Sequence, residues 1–348
     1  MAVIDISTLT ETANRIDREL KHLPYIELRE TLGVHGINLM QNVQNKDTIT
    51  NIFRKGGIAK PYVPALVEDN DLAETQERIL QVEKAYANVI DEPSRFKKTI
   101  VGPDVLLGKN QSKRHPWEVE CLTSIVKTFG EDICDALFPA KRDILDRSPM
   151  GLFHGYDTII DFDIAAGLIS AAKGNIKETD VIKKPVSDTD YNAYDRLLAF
   201  WRQAHPLLRN AKTLLLIPFD LGDAYDDAYF NKYKTKPTMD NYNRTVLDGS
   251  GGKCTIVRSL AMGTGQRIIL TVPGNFDFGM DTFSDGQFVT IRNIEKDPNF
   301  VQFWIQADYG CRIRNVHPKV FQINEGTPVP NALSGDYQVT PIEPEPEP

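Results

Sequence analysis

The feature that most limits how this chain of 348 residues can fold is an early stretch that cannot bury itself. Residues 56–71, GGIAKPYVPALVEDND, combine Gly56 and Gly57 with Pro61 and Pro64. Proline lacks a backbone donor, breaks helices and is confined to the edges of sheets. We therefore expect an extended segment or an edge strand here, and no compact N-terminal domain.

The regions on either side of this stretch have different patterns. Residues 7–20 carry one apolar stripe after two capping residues, which predicts a short amphipathic helix. Residues 72–105 are polar, with a β-favouring piece at Lys98–Val101 and turn signals at Pro93 and Pro103. A long projecting hairpin or loop fits this pattern best, and an irregular surface region of an ordinary domain is the alternative.

Two later stretches have the spacing of amphipathic helices. The first begins at Pro116 and ends before Pro139, and its apolar residues share one face: Leu122, Ile125, Val126, Phe129, Ile133 and Leu137. The second begins at Ser187, where Asp190 completes a capping-box pattern, and ends at Pro206. Both are long enough to bury an apolar stripe against a sheet.

Strand patterns dominate the second half. A short apolar run at 212–217 precedes a helical segment at 221–233, and further strands are predicted at 254–257, 267–272 and 275–280. The clearest element is a hairpin formed by residues 287–294 and 300–307. On its second arm Val301, Phe303, Ile305 and Ala307 alternate with polar residues, so one face should be buried. Helices and strands together indicate an α+β fold.

Composition excludes several classes of protein. Hydrophobic residues make up 41% and charged residues 25%, which is typical of a globular chain. The net charge of −8 argues against a basic, sequence-reading DNA-binding protein. The start has no signal-peptide pattern and no stretch is apolar enough to span a membrane, so we expect synthesis in the cytoplasm and no membrane partner. After Gly326 the sequence becomes an acidic Glu-Pro tail, which predicts disorder.

Phosphate-binding motifs are incomplete. The glycine-rich run 249–252 precedes Lys253, but Leu247 and Cys254 stand where a phosphate loop needs glycine and serine or threonine. The pair at Gly263 and Gly265 lacks the third glycine of a dinucleotide fingerprint. Tight turns explain both, so we predict no cofactor.

Acidic clusters give the only pattern suggestive of a metal. Asp161 and Asp163 form a D-x-D, and a helix start carries a second group: Asp220, Asp223, Asp226 and Asp227. Such carboxylates could bind a hard cation, although the dipole of the helix explains acidic residues in a first turn equally well. We predict a solvated acidic face, with no metal site and no catalytic residue.

The cysteines and histidines show no ligand spacing. The four cysteines are far apart and form no C-x-x-C pair, so we expect buried free thiols at Cys121, Cys134, Cys254 and Cys311. The six histidines contain no H-x-x-x-H pair, and no nucleophile elbow is present. Nothing in the sequence indicates an enzyme.

Three stretches, taken in order, resemble one known family. They are MGLFHGYDTIID at 150–161, the run 207–218 continued by 221–229, and the C-terminal third from GNFDFGMDTFSDG at 274 to the FQIN that ends at 324. All three resemble the major capsid proteins of tailed phages, which have the Hong Kong 97-type fold, especially the versions found in gut-bacterial phages and prophages.

The resemblance implies a division of the chain. It implies an N-terminal arm at 1–55, an extended loop at 56–115 and a peripheral domain at 116–186 whose spine helix covers 116–138. An axial domain would follow at 187–285, peripheral strands would return at 286–325, and the acidic tail would cover 326–348. A loop without its own core would become stable when laid across a neighbouring copy.

The function implied is that of a structural subunit. Copies would assemble into hexamers and pentamers of an icosahedral virion head around double-stranded DNA, with weak, non-specific DNA contact. A scaffolding protein, a portal and a decoration protein are the other expected partners. Two alternatives remain open: an encapsulin-like nanocompartment shell protein, and a metal-dependent enzyme that uses the cluster from Asp220 to Asp227.

Overall fold

The computed structural model describes residues 10–11, 13–15, 33, 36–54, 73–91, 117–240, 244–281, 289–293 and 300–327. Its strands, in chain order, are β1 Asn38–Gln41, β2 Lys46–Arg54, β3 Ala73–Gln81, β4 Glu83–Asp91, β5 Ile176–Lys177, β6 Thr213–Pro218, β7 Cys254–Ser259, β8 Ile269–Thr271, β9 Phe276–Asp281, β10 Val289–Asn293, β11 Val301–Ile313 and β12 Phe321–Asn324. Its helices are α1 Trp117–Ala136, α2 Tyr156–Ala165, α3 Asn192–Arg202, α4 Pro206–Asn210 and α5 Phe219–Tyr233. The α+β class is confirmed.

The first sheet is built around β11, a strand of 13 residues. One edge of β11 pairs with β4, and the other edge pairs first with β10 and then with β9, all antiparallel. Strand β1 extends the sheet by pairing parallel to β9. The hairpin predicted at residues 287–307 is therefore confirmed as β10 and β11, and its second arm continues through Ile313 as the centre of the sheet.

Helix α1 covers the buried face of this sheet. Five of the apolar residues predicted to share one face are buried, and they lie in the same core cluster as the inward side chains of β11: Leu122, Val126, Phe129, Ile133 and Leu137. Ile125 is half-buried. The Phe129 and Tyr309 rings lie 6.2 Å apart across this boundary. The long helix predicted from residue 116 is confirmed, and the predicted alternation on β11 holds, with Val301 to Ala307 buried at every second position.

The second sheet has the strand order β5-β12-β8-β6-β7. Strand β6 lies inside it and is buried at every position, as expected of a continuous apolar run. Helices α3 and α5 pack on it and form a second core with Tyr194, Leu215 and Tyr225. The predicted strands near 212, 254, 267 and 275 and the helix after Pro218 are all present.

The predicted helix start at Ser187 is wrong. Helix α3 begins five residues later, at Asn192, because Asp190 forms a local turn instead of a capping box. Its Oδ1 accepts a hydrogen bond from the Asn192 N–H at 3.0 Å, and its Oδ2 accepts one from the Val186 N–H at 3.4 Å. Such side-chain bonds to nearby backbone groups compete with helix formation.

A two-stranded antiparallel ladder, β2 with β3, stands apart from both sheets. We name this ladder the hairpin. Strand β2 lies within residues 1–55, and β3 and β4 lie within residues 56–115. Most of the predicted N-terminal helix, the Gly/Pro-rich stretch, the piece at Lys98–Val101 and the acidic tail lie outside the described residues. Among the described helices, none combines the length and apolar character needed to cross a membrane.

Candidate assembly surface

The two faces of the hairpin differ in kind. The side chains of its outer face are all exposed: Thr48, Thr50, Ile52, Thr75, Glu77 and Ile79. Ile52 is 65% exposed and Ile79 is 54% exposed. Five of these six residues are β-branched, the type that packs well on a pleated surface. The outer face therefore exposes side chains of the type that pack well against a flat surface.

The inner face is held to the body by a buried ion pair. Arg78, on β3, meets Asp163 at the end of α2 with two parallel hydrogen bonds, Nη1 to Oδ1 and Nη2 to Oδ2, each 2.6 Å long. Its Nε donates to the Ile313 carbonyl oxygen at 2.9 Å. Both side chains are more than nine-tenths buried. A bidentate pair of this kind fixes direction as well as distance.

A second buried arginine ties the base of the hairpin to the first sheet. Arg312, on β11, is 1% exposed. Its Nη2 donates to Asp277 Oδ2 at 2.7 Å, and its Nη1 donates to Asp47 Oδ2 at 3.0 Å. Asp277 also accepts from Arg314 Nε at 2.7 Å and from Asn38 Nδ2 at 3.3 Å. One buried carboxylate thus joins β1, β9 and β11, and Arg312 passes the connection on to β2.

Two paired glycines let the chain cross from the hairpin into the first sheet. Gly279 and Gly310 lie opposite each other on β9 and β11. A Cβ at Gly279 would lie 2.7 Å from Leu80 Cδ2, and one at Gly310 would overlap the carbonyl oxygen of Gln81. Leu80 and Gln81, which lead from β3 towards β4, pack directly on these two glycines. We name the pair of glycines the glycine seat.

The first sheet exposes a second apolar surface beside the hairpin. Tyr86 and Ile90 on β4 are 60% and 55% exposed. The Tyr86 ring stacks on Trp304 of β11, with ring centroids 5.2 Å apart. Neighbouring exposed aromatic and aliphatic groups of this kind are typical of protein contact sites.

Asp157 is a buried carboxyl group at the junction of the two sheets. It lies on α2, with Oδ1 3.7 Å from Nε of Arg267, the residue two positions before β8. Within the described part of the chain, neither of its oxygens accepts a hydrogen bond. Burial raises the pKa of Asp157 to about 7, although the Arg267 charge opposes this. This junction is therefore sensitive to protonation near neutral pH.

Five of the six acidic residues singled out in the sequence pair with basic side chains. Asp163 binds Arg78, and Asp161 binds Arg267 at 3.0 Å. On α5, Asp223 binds Arg258 at 3.0 Å, and Asp226 binds the same guanidinium group. Among the described residues, His, Cys, Asp and Glu side chains form no group of three or more that could hold a metal ion. Asp223 and Asp226 thus tie α5 to β7, and Asp227 lies 3.8 Å from Lys184.

The remaining candidate motifs are structural. Gly249, Gly251 and Gly252 have φ values of +83°, +67° and +77°, as expected of tight turns. The four cysteines are free thiols, and Cys121, Cys254 and Cys311 are buried as predicted, whereas Cys134 is half-buried. Burial raises the pKa of Cys254 to about 12, which keeps its thiol protonated.

Sequence reasoning did not find the two buried arginines. Arg78 shares a face with the buried Leu80, and Arg312 lies in the stretch Tyr309–Ile313, which is buried at every position. An arginine on the apolar register of a strand was the available signal, because it must find a carboxylate when buried.

No family model matches the sequence, and neither does any curated protein. Solved structures do match. A chain of the satellite phage P4 procapsid, a structure that includes the size determination protein Sid, has a TM-score of 0.50 at 12% identity, over 86% of this chain and 97% of that chain. A chain of the capsid of a native GTA particle has a TM-score of 0.51 at 10% identity, over 84% of this chain and 89% of that chain.

The chain has a phage capsid fold. A third match agrees, from the capsid of an empty GTA particle, with a TM-score of 0.50, 10% identity and coverage of 84% and 95%. These matches extend over most of both chains, so the likeness covers most of the molecule. The resemblance seen in the sequence is confirmed at the level of the fold.

Proposed function

We propose that this chain is a major capsid protein, a structural subunit that assembles into the hexamers and pentamers of an icosahedral phage head. The observation that carries the proposal is the hairpin, which is fixed on one face and exposed on the other. A ladder of two strands alone is marginally stable in water, and here buried ion pairs fix its base while the outer isoleucines stay exposed. Those isoleucines are buried when a neighbouring copy covers them.

The capsid fold supports the domain division expected from the sequence. In this proposal β3 belongs to the extended loop and pairs with β2 of the N-terminal arm, α1 is the spine helix, and β10 and β11 lie in the peripheral domain of the Hong Kong 97-type fold. The axial domain, which we place at residues 187–285, contains α3, α5 and the strands β6, β7 and β8 of the second sheet. Residues 1–55 form the arm and 326–348 the tail.

The charge of the chain fits a container for DNA. A subunit with a net charge of −8 gives weak, non-specific contact with packaged double-stranded DNA, because few phosphates can be neutralised. We propose a virion location, with assembly in the host cytoplasm and with scaffolding, portal and decoration proteins as further partners. The proposed role is structural and involves no catalysis.

Electron microscopy of the purified chain, alone and co-expressed with a scaffolding protein, tests the function. Shells or rings of five and six copies are expected. A monomer under all conditions, stabilised thermally by a divalent cation, would instead support the metal-dependent enzyme. Shells that contain a co-purified enzyme and no DNA would support the nanocompartment.

A matched pair of variants tests the hairpin surface itself. Ile79→Asp places a charge in the outer face, and we expect it to abolish shells while leaving the melting temperature within a few degrees of wild type, because Ile79 is exposed in the single chain. Val186→Asp is the control, since Val186 is 91% exposed and lies far from the hairpin in sequence. Normal shells from Ile79→Asp would remove the hairpin from the proposal.

A further inference from the structure

A cavity of about 510 Å³ lies where the hairpin meets the rest of the molecule. The hairpin contributes Phe53, Thr75 and Gln76 to its wall. The body contributes the rest: Leu168, Lys173, His205, Val316, His317 and Pro318. Because Lys173 precedes β5 of the second sheet and Val316 follows β11 of the first, an occupant of this cavity would contact the hairpin and both sheet regions at once.

The lining of the cavity combines apolar surface with hydrogen-bond donors. The Phe53 and His317 rings stack with centroids 4.9 Å apart and form an aromatic wall. Nδ1 of His205 accepts from the Leu207 N–H at 3.2 Å, and Nδ1 of His317 accepts from the Lys319 N–H at 3.2 Å. A neutral imidazole that accepts at Nδ1 carries its hydrogen on Nε2. The Nε2–H of His205 and the Lys173 ammonium therefore give the cavity two donors.

Carboxylates are missing from this lining, although the chain as a whole is acidic. Among the described residues that line the cavity there is no Asp or Glu. Its chemistry suits a ligand with both carboxylate groups and rigid apolar rings. Proline-rich segments dock in aromatic-lined grooves, because their extended conformation is already ordered and costs little entropy to bind.

One segment of this chain has that chemistry. Residues 336–348, DYQVTPIEPEPEP, alternate Glu343, Glu345 and Glu347 with prolines and contain no basic residue. We propose that this acidic tail segment binds in the cavity of its own chain, with glutamates on the Lys173 and His205 side and proline rings against Phe53 and His317.

The tail is long enough to reach. The described chain ends at Thr327, whose carbonyl oxygen accepts a hydrogen bond from the Gln266 N–H at 3.2 Å. From Pro318, in the cavity wall, to Thr327 is nine residue steps, so the two lie at most about 30 Å apart. Residues 328–342 span roughly 45 Å in a polyproline conformation. Tethering also gives a local concentration on the order of millimolar, so a weak site would be filled.

The consequence of this binding is a braced hairpin. A tail that contacts Phe53, Thr75 and Gln76 together with the body holds the hairpin in one direction. If the proposed function is right, release of the tail would free the hairpin to settle on a neighbouring copy, so the tail would time assembly. That last step rests on the proposed function, whereas the binding itself does not.

Photo-crosslinking of the unassembled full chain tests the binding. A photo-reactive amino acid replaces Ile342, and mass spectrometry maps its crosslinks. We expect crosslinks within one chain to peptides that contain Phe53, Lys173 or His317. Lys173→Glu should lower their yield at least threefold, and Lys183→Glu, an exposed lysine outside the cavity, should leave it unchanged. Crosslinks to other surfaces, or between chains, would overturn the proposal.

Hydrogen exchange gives an independent measurement. Replacing Glu343, Glu345 and Glu347 by glutamine should speed exchange of the amides at residues 51–53 and 75–76 by about twofold to tenfold. Glu325→Gln, placed before the tail, is the matched control. Unchanged exchange in the triple variant would overturn the bracing. Since the subunit is unassembled in both experiments, failure to form shells would count against the proposed function alone.

Discussion

The second sheet and the hairpin base are held together by different forces. In the second sheet, β6 is buried at all six positions, and α3 and α5 add a continuous apolar core. The hairpin base has a small apolar cluster, Val43, Leu80 and Val82. Buried arginine–aspartate pairs supply the other contacts that hold this base.

The difference bears on what each region can do. Apolar burial is non-directional and tolerates repacking, so it makes a stable platform. Buried ion pairs cost desolvation and add little net stability, but their geometry is fixed. The hairpin projects in one direction from a small base. Buried ion pairs can fix that direction, whereas apolar packing would fix it only weakly.

The largest effect is expected at the carboxylate shared by the buried arginines. Asp277→Ala leaves Arg312 buried without its main partner, and we expect a loss of about 3–5 kcal/mol in unfolding free energy. Urea denaturation measures it. Asp195→Ala is the control, because Asp195 is 57% exposed and its pair with Lys232 should contribute less than about 1 kcal/mol. Similar losses in the two variants would contradict the contrast between regions.

The next largest loss of stability is expected at the glycine seat. Gly310→Ala forces a Cβ against the Gln81 carbonyl, so the crossing between β3 and β4 must shift, at an expected loss of about 1–3 kcal/mol. Gln306→Ala, at an exposed position of the same strand, serves as the control. An unchanged denaturation midpoint for Gly310→Ala would show that the crossing does not need the glycine.

The contrast between apolar cores and buried ion pairs also decides which parts of the fold could be predicted from the sequence. The alternation from Val301 to Ala307 and the stripe from Leu122 to Leu137 predicted β11 and α1, because apolar burial leaves a periodic pattern. The predicted arm ended at Ala307, six residues before the end of β11, since Gly310 and Arg312 interrupt the alternation. Gly310 lies against the chain that crosses from β3 to β4, and Arg312 is buried through its ion pairs. Both depend on residues far away in the sequence.

The ion pairs at the base of the hairpin could not be predicted from the sequence for a related reason. Asp47, Asp277 and Arg312 meet across more than two hundred residues of sequence, and no short-range spacing links them. The prediction of a solvated acidic face at Asp161 and Asp163 missed that Asp163 is buried by Arg78. A single sequence shows that an aspartate is present but not which distant arginine neutralises it.

The junction between the two regions should respond to pH. Because the folded pKa of Asp157 is raised to about 7, the folded state keeps a proton that the unfolded state loses near pH 4. This group's contribution therefore falls as pH rises from 4 to 7, by at most about 1.4 kcal/mol per pH unit. Asp157→Asn should remove that slope in denaturation curves, and Asp195→Asn, at a 57% exposed side chain away from this junction, should keep it. Identical slopes in wild type and Asp157→Asn would refute the protonation.

The smallest change in stability is expected from replacing an anchoring pair as a whole. Arg78→Met with Asp163→Leu exchanges a buried ion pair for apolar groups, so unfolding free energy should stay within about 1 kcal/mol of wild type, whereas Arg78→Met alone strands a buried carboxylate and should lose several times more. Orientation should still be lost in the double variant, seen as faster hydrogen exchange along β2 and β3. If those amides remain protected, the apolar cluster directs the hairpin and the ion pair does not.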